Sequence, residues 1–276
     1  MILFPNCKIN IGLQVISKRE DGYHNLETVF FPLPVFDVLE MLDADTTSIS
    51  LYGVPIPGNS EDNIVLKAYK ILKNDFPDLP PVHFHLLKNI PAGAGLGAGS
   101  ANGAFALTGI NKKFNLGLSQ AQLINYALQL GSDCPFFILN KPCLATGRGE
   151  NMRPIPLDIS NYKIIIINPG IHVATPWAFK QLQPATPQKS LEQIVLHPVN
   201  EWKHTITNDF ETAVFAAHSQ VEAIKKSLYN AGAVFALMSG SGSTVYGIFE
   251  KDANPVLNLP TSYFIKTVYL NPDTEQ

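Results

Sequence analysis

Charge is scarce in this chain of 276 residues: Asp, Glu, Lys and Arg together make up 16% of it. Twenty basic against 23 acidic residues leave a net charge of −3, so no basic excess points to a nucleic-acid partner. Cysteine is almost absent. Cys7, Cys134 and Cys143 do not have metal-ligand spacing, and an odd count fits a reducing compartment rather than a disulfide framework. No apolar run is long enough to cross a membrane, and Ile164–Ile167 reads as a short buried strand instead. The start, Met1-Ile2-Leu3-Phe4-Pro5, lacks the basic segment and apolar stretch of a secretory leader. There are no repeats or low-complexity tracts. The expectation is a cytoplasmic protein of one or two domains with a small-molecule partner, no membrane and no nucleic acid; nothing in the chain fixes its oligomeric state.

One absence is local. No Asp or Glu occurs between Asp78 and Asp133, and the stretch carries only Lys88, Lys112 and Lys113 as formal charges. A region without carboxylates suits an anionic ligand, because each would repel it. Inside it lies Pro91-Ala92-Gly93-Ala94-Gly95-Leu96-Gly97-Ala98-Gly99-Ser100-Ala101, with glycine at every second position from 93 to 99. Glycine permits positive φ and lets backbone N–H groups approach a ligand closely. A helix starting just after the loop adds unpaired donors and a partial positive charge. Together these predict a cradle for nucleotide phosphates. It is not a Walker A loop, which needs Lys after the last glycine, nor a Rossmann fingerprint, which needs an acid about 20 residues on.

Asp133 closes the acid-free region among small and apolar neighbours, Gly131-Ser132-Asp133-Cys134-Pro135-Phe136-Phe137. A carboxylate buried there needs a cationic or hydrogen-bonding partner, and Lys8, in an apolar N-terminal run, is a candidate. A turn or helix-cap aspartate, which Pro135 suits, is the alternative.

The periodicity predicts strands over 6–16, 23–33 and 37–42, with a turn at Glu20-Asp21-Gly22. A helix follows Ser60, with Val65, Ala68, Tyr69 and Leu72 on one face. Val82–Leu87 reads as a strand feeding the glycine loop, and Ser100–Lys112 as the helix after it. Ser119 and Gln122 form a capping box for a helix that Gly131 ends. Residues 143–157 read as a strand pair about Gly147-Arg148-Gly149, and Lys163–Asn168 as a buried strand. Gln181–Lys189 reads as a loop, 208–217 and 219–230 as helices, with Gly232 ending the second. Further strands are expected at 233–238, 243–249 and 263–269. The domain seam is expected near 150–160.

These residues resemble the GHMP small-molecule kinases. Three segments match in order: Lys8-Ile9-Asn10-Ile11-Gly12-Leu13, the glycine loop about Gly95-Leu96-Gly97, and Met238-Ser239-Gly240-Ser241-Gly242-Ser243-Thr244. Within that family, Arg19-Glu20-Asp21-Gly22-Tyr23-His24, the Gly131–Phe137 segment and Thr175-Pro176 with Phe179 match the branch whose alcohol acceptor is a methylerythritol bearing a cytidine diphosphate. The likeness runs from about residue 5 to 250. Departures are small: Ala92, Ala94 and Ala98 in the loop, Cys134 for an aliphatic residue, and Ala101-Asn102 for a Ser-Asn pair.

The resemblance implies an α+β two-domain GHMP kinase fold, with a ribosomal-protein-S5-like domain over 1–155 and a ferredoxin-like domain over 156–276. It implies ATP as co-substrate, with Mg²⁺; no Asp/Glu pair is placed at the cradle to hold the metal, and no residue is assigned to it. Pro91–Ala101 would hold the triphosphate, with Ser100 as a further oxygen ligand. Asp133 would take the proton of the acceptor hydroxyl, and Lys8 would pair with it and offset charge on the transferring phosphoryl group. Tyr23 and Phe179 would stack on the cytosine and His24 would hydrogen-bond its edge, while Asn10 and Thr175 would contact the erythritol or its phosphates. The third motif would pack on the glycine loop. Alternatives are a homoserine or mevalonate type of kinase, which Gly22-Tyr23-His24 argues against, and a non-catalytic nucleotide sensor, which needs neither Lys8 nor Asp133. A role in RNA binding is disfavoured by the sparse, unclustered basic residues.

Overall fold

The structure is a computed structural model that describes residues 1–185, 187 and 189–270. It has the mixed helix and strand content expected, arranged in two compact units that interleave along the chain. The first comprises Met1–Cys7, Val35–Ala92 and Gly97–Lys141; the second comprises Lys8–Pro34, Gly93–Leu96 and the chain from Pro142 on. Units defined by contact are a different division from the expected seam at 155/156, which lies within the second unit. Residues 271–276 of the expected C-terminal domain are outside the described residues.

The first unit is built on a sheet of β1 (Ile2–Leu3), β4 (Val38–Asp43), β6 (Val82–Lys88) and β5 (Ser48–Gly53), in that spatial order. Period-2 alternation along β6 sends Val82, Phe84, Leu86 and Lys88 to the buried side and leaves His83, His85 and Leu87 less covered. Against this face pack α1 (Ile64–Asp75) and α2 (Ala98–Lys113), joined by α3 (Gln120–Leu130) and α4 (Cys134–Leu139). Met41, Phe84, Leu72, Leu107 and Ile110 lie in one apolar core. The apolar stripe expected of α1 is buried at Val65, Ala68, Tyr69 and Leu72. Its cap differs from expectation: Ser60 opens a 3₁₀ turn, and Asn63 caps α1 by accepting from Val65 N–H at 2.9 Å. The capping box of α3 forms as expected between Ser119 and Gln122, and Gly131 ends the helix.

The second unit holds two sheets. One orders β2 (Asn6–Lys18), β3 (His24–Phe36), β7 (Cys143–Gly147) and β8 (Asn151–Pro154); the other orders β10 (Phe235–Met238), β11 (Val245–Glu250), β9 (Tyr162–Asn168) and β12 (Phe264–Tyr269). The β2–β3 turn lies where it was expected, with Arg19 N–H donating to Tyr23 O at 2.8 Å. The helices are α5 (Thr175–Lys180), α6 (Leu191–Val195), α7 (Glu211–Ala217) and α8 (Ser219–Asn230). Ile165, Ile167, Val245, Phe249, Ile224 and Leu228 share its apolar core. Helix α7 starts later than the expected residue 208, because Asn208 is engaged elsewhere: its Nδ2 donates to Met238 O and Gly240 O, both at 2.8 Å. The described residues of the expected loop Gln181–Lys189 are neither helix nor strand, and Thr186 and Gln188 lie outside the described residues.

Candidate functional site

Of the glycines in the loop, Gly93, Gly95 and Gly97 have φ of 64°, 79° and 67°, the left-handed region a glycine adopts without strain. Gly95 is also closely approached: a Cβ there would lie 2.1 Å from Ser239 O. Gly99 departs from the expected pattern. Helix α2 begins at Ala98, two residues before Ser100, so Gly99 is helical, and nothing lies within 4 Å of where its Cβ would be.

Within the second unit the three motif segments are bonded to one another. The Ala94 carbonyl accepts from Thr244 N–H (3.3 Å), the Gly95 carbonyl from Ser239 Oγ (2.8 Å) and the Leu96 carbonyl from Lys8 N–H (3.0 Å). Ser239 Oγ also accepts from Asn10 N–H at 3.1 Å. The expected packing of the third motif on the glycine loop is thus observed at Ala94 and Gly95. A trans peptide sets the N–H of residue i+1 opposite the carbonyl of residue i. With three successive carbonyls turned toward Thr244, Ser239 and Lys8, the N–H groups of Gly95, Leu96 and Gly97 point the other way.

Lys8 is buried on β2. Its Nζ donates to Asn10 Oδ1 at 2.6 Å and stands 4.5 Å from the centre of the Phe30 ring. Asn10 Nδ2 in turn donates to Thr28 Oγ1 at 2.8 Å, and Tyr246 OH donates to Asn10 O at 3.0 Å. Asn10, expected as an acceptor contact, therefore has protein partners on both side-chain atoms.

In the first unit, Asp133 stands at the N-cap position of α4, with Pro135 in the first turn, as a cap reading predicts. Its carboxylate nevertheless makes no capping hydrogen bond. The following Cys134 thiol is hydrogen-bonded to Ser100 in the first turn of α2, and burial pushes it up to about 12. The end of the glycine loop and the Asp133 segment therefore meet through Ser100 and Cys134. No acidic residue lies in the first turn of α2, and Lys112 and Lys113 lie in its last, the distribution that favours an anion at its start.

The expected base-reading residues share the second unit. The His24 ring lies on Phe179 at 4.9 Å between centroids, 16° from parallel, and Phe179 packs edge-on to Phe210. That spacing leaves no room for a base between His24 and Phe179. Tyr23 is 56% exposed, with the Arg148 guanidinium 5.0 Å from its ring centre. Thr175 opens α5 and shares a 2.9 Å hydrogen bond with Ser241 Oγ of the third motif. Sequence reasoning missed Arg148, although its turn was expected, because a strand pairing that brings residue 148 over residue 23 has no local signal.

Among the described residues, no cluster of three or more His, Cys, Asp or Glu could hold a metal ion, and no helix is long and apolar enough to cross a membrane.

The family model for the N-terminal domain of GHMP kinases matches residues 63–141, and that for GHMP kinases C terminal matches 190–258. The chain is 50% identical over 256 residues to a Bacteroides thetaiotaomicron protein named 4-diphosphocytidyl-2-C-methyl-D-erythritol kinase, covering 91% of this chain and 93% of the relative. The Parabacteroides distasonis protein of that name is 48% identical over 251 residues, covering 91% and 92%. A crystal structure of 4-(cytidine 5'-diphospho)-2C-methyl-D-erythritol kinase superposes with a TM-score of 0.79 at 26% identity, covering 98% of this chain and 100% of the other. Homoserine kinase from Cytophaga hutchinsonii shares the fold, with a TM-score of 0.68 at 16% identity over 97% and 95% of the two chains.

Proposed function

The chain belongs to the 4-diphosphocytidyl-2-C-methyl-D-erythritol kinases of the GHMP family, and from that premise we propose how its residues divide the work. It is an ATP-dependent kinase of isoprenoid precursor synthesis. The acceptor is the 2-hydroxyl of 4-diphosphocytidyl-2-C-methyl-D-erythritol. A bond forms between that oxygen and the γ-phosphorus of ATP, the bond from the γ-phosphorus to the β,γ-bridging oxygen breaks, and ADP leaves.

What supports the phosphate role of the loop is the direction of its backbone. The carbonyls of Ala94, Gly95 and Leu96 are held by Thr244, Ser239 and Lys8, which turns the following N–H groups the opposite way as preset donors. Such donors need no reorganisation as charge develops on the phosphates. The first turn of α2 adds its own N–H groups and dipole. The bare Gly99 leaves room beside them, and Ser100 supplies a hydroxyl. Pro91–Ala101 thus binds the triphosphate.

Asp133 accepts the hydroxyl proton. Lys8 offsets charge on the phosphoryl group, and Asn10 orients its ammonium. The cytosine lies against the exposed Tyr23 ring and the joined His24–Phe179 face, with His24 reading its edge; Thr175 contacts the acceptor's polar part. Mg²⁺ arrives on the triphosphate as part of the substrate, in keeping with a loop that carries no carboxylate. The domains of the family divide near 155/156, and the enzyme works in the cytoplasm.

Asp133→Asn, isosteric at the N-cap position, tests the assignment. Turnover should fall by about two to four orders of magnitude, the usual worth of a general base, with ATP affinity kept. Near-normal turnover would remove Asp133 from the chemistry.

A further inference from the structure

Lys88 occupies the core-facing register of β6 after Val82, Phe84 and Leu86, and it is 2% exposed. A lone ammonium there would be prohibitive. Its partner is Asp37, between β3 and β4, which is fully buried. Burial pushes the Lys88 ammonium down while Asp37 pulls it up.

The carboxylate does more than neutralise. Asp37 Oδ1 accepts from the backbone N–H of Asn89 at 2.8 Å and of Ile90 at 3.0 Å. Asp37 Oδ2 accepts from Lys88 Nζ and from Asn102 Nδ2, the latter at 2.9 Å. Lys88 Nζ also donates to Asn102 Oδ1 at 3.0 Å. Asn89 and Ile90 lead directly into the glycine loop, and Asn102 follows directly after it. One buried carboxylate therefore holds the two ends of Pro91–Ala101 together. Stability alone does not account for the arrangement, since a well-packed apolar replacement of a buried ion pair is often as stable or more so.

We propose that Asp37, with Lys88 and Asn102, is a positioning group for the phosphate loop, fixing both of its ends so that its N–H donors are set before ATP arrives. The inference rests on the reading of the loop as the ATP site. Rigid closure of the loop base reduces the ordering that ATP binding would otherwise impose. Neither Asp37 nor Asn102 touches the nucleotide in this account, so the loss should fall on ATP alone.

The test uses the full-length enzyme and measures ATP and acceptor separately, by calorimetric affinity and by KM. Asn102→Ala releases the α2 end and leaves the ion pair intact, so it folds even where Asp37→Asn does not. The expected result is ATP affinity weakened about tenfold, in line with loss of a hydrogen bond to a charged group, with acceptor KM moved less than twofold. Unchanged ATP affinity beside a lowered unfolding temperature would overturn the proposal, leaving a purely structural cluster. Equal weakening toward both ligands would overturn it as well. Gly95→Ala separates the two levels of the argument. If that variant binds ATP as the wild type does, the loop is not the ATP site and the proposal falls with that reading. If it loses ATP while Asn102→Ala does not, only the positioning role falls.

Discussion

Gly99 and Gly95 look alike in the sequence and do different things in the fold. Gly95 needs its positive φ and its missing Cβ, because a methyl would meet Ser239 O at 2.1 Å. Gly99 needs neither for folding. Substituting Gly95 by Ala should strain the backbone by about 1–3 kcal/mol beyond the clash itself, lowering the denaturant midpoint and ATP affinity together. Substituting Gly99 by Ala should hold or slightly raise stability, since alanine is up to about 1 kcal/mol better in a helix. It should still raise KM for ATP, because the methyl enters the phosphate space. Denaturant titration beside steady-state kinetics separates the two, and a Gly99→Ala enzyme with unaltered KM would place the phosphates elsewhere. The alternation of glycines was legible in the sequence, but this division was not. It depends on Ser239, which lies just past the end of β10, 144 residues away. Lys88 was nearer to hand: strand alternation from Val82 already sets it on the core side.

At the level of elements, the long periodic segments and the short strands β7, β8, β10, β11 and β12 were legible, whereas β1, β5 and the shortest helices were not. Strands β2, β3, β4, β6 and β9 and helices α2, α3 and α8 lie close to where periodicity put them, because burial of one face repeats over several turns or pleats. Helices α4, α5 and α6 span at most six residues, too short for a period to show, and α4 and α5 carry proline as their second residue. Strand β5 runs parallel to β6 and has no buried residue along its length, so no buried face marks it in the sequence. The start of α1 was misplaced because Ser60, Asn59 and Asn63 are all competent caps, and only the backbone path selects Asn63. Asn63→Ala should therefore cost about 1 kcal/mol, while Ser60→Ala should be near neutral. Equal losses in chemical denaturation would contradict this assignment.

At the scale of the molecule, the second unit is stitched by contacts that no local pattern announces. Leu13 bridges Asn208, and Asp209 accepts from Val15 N–H at 2.7 Å. Burial raises the Asp209 carboxyl above the ordinary aspartate range, with the Val15 bond pulling the other way. Just above that range the folded chain holds a proton that the unfolded chain has lost, so this contribution to stability falls as pH rises through the window. Asp209→Asn keeps an acceptor for Val15 and removes the titration. Its urea midpoint should vary less with pH there than the wild type's, and an unchanged pH profile would show that Asp209 is not the group responsible. The function itself was more legible than the architecture. Lys8, the glycine loop, Asp133 and Gly22-Tyr23-His24 are each compact in sequence, whereas the interleaving of two units depends on the whole chain.

The central claim is phosphoryl transfer from ATP to a cytidylated alcohol. It is tested most directly by following ADP release with ATP·Mg²⁺ and four acceptors in turn: 4-diphosphocytidyl-2-C-methyl-D-erythritol, its cytidine-free alcohol, homoserine and mevalonate. The account predicts turnover with the first and none with the other three. Efficient turnover of the cytidine-free alcohol, homoserine or mevalonate would contradict the base-reading role of Tyr23, His24 and Phe179, and ATP binding without turnover of any acceptor would contradict the kinase itself.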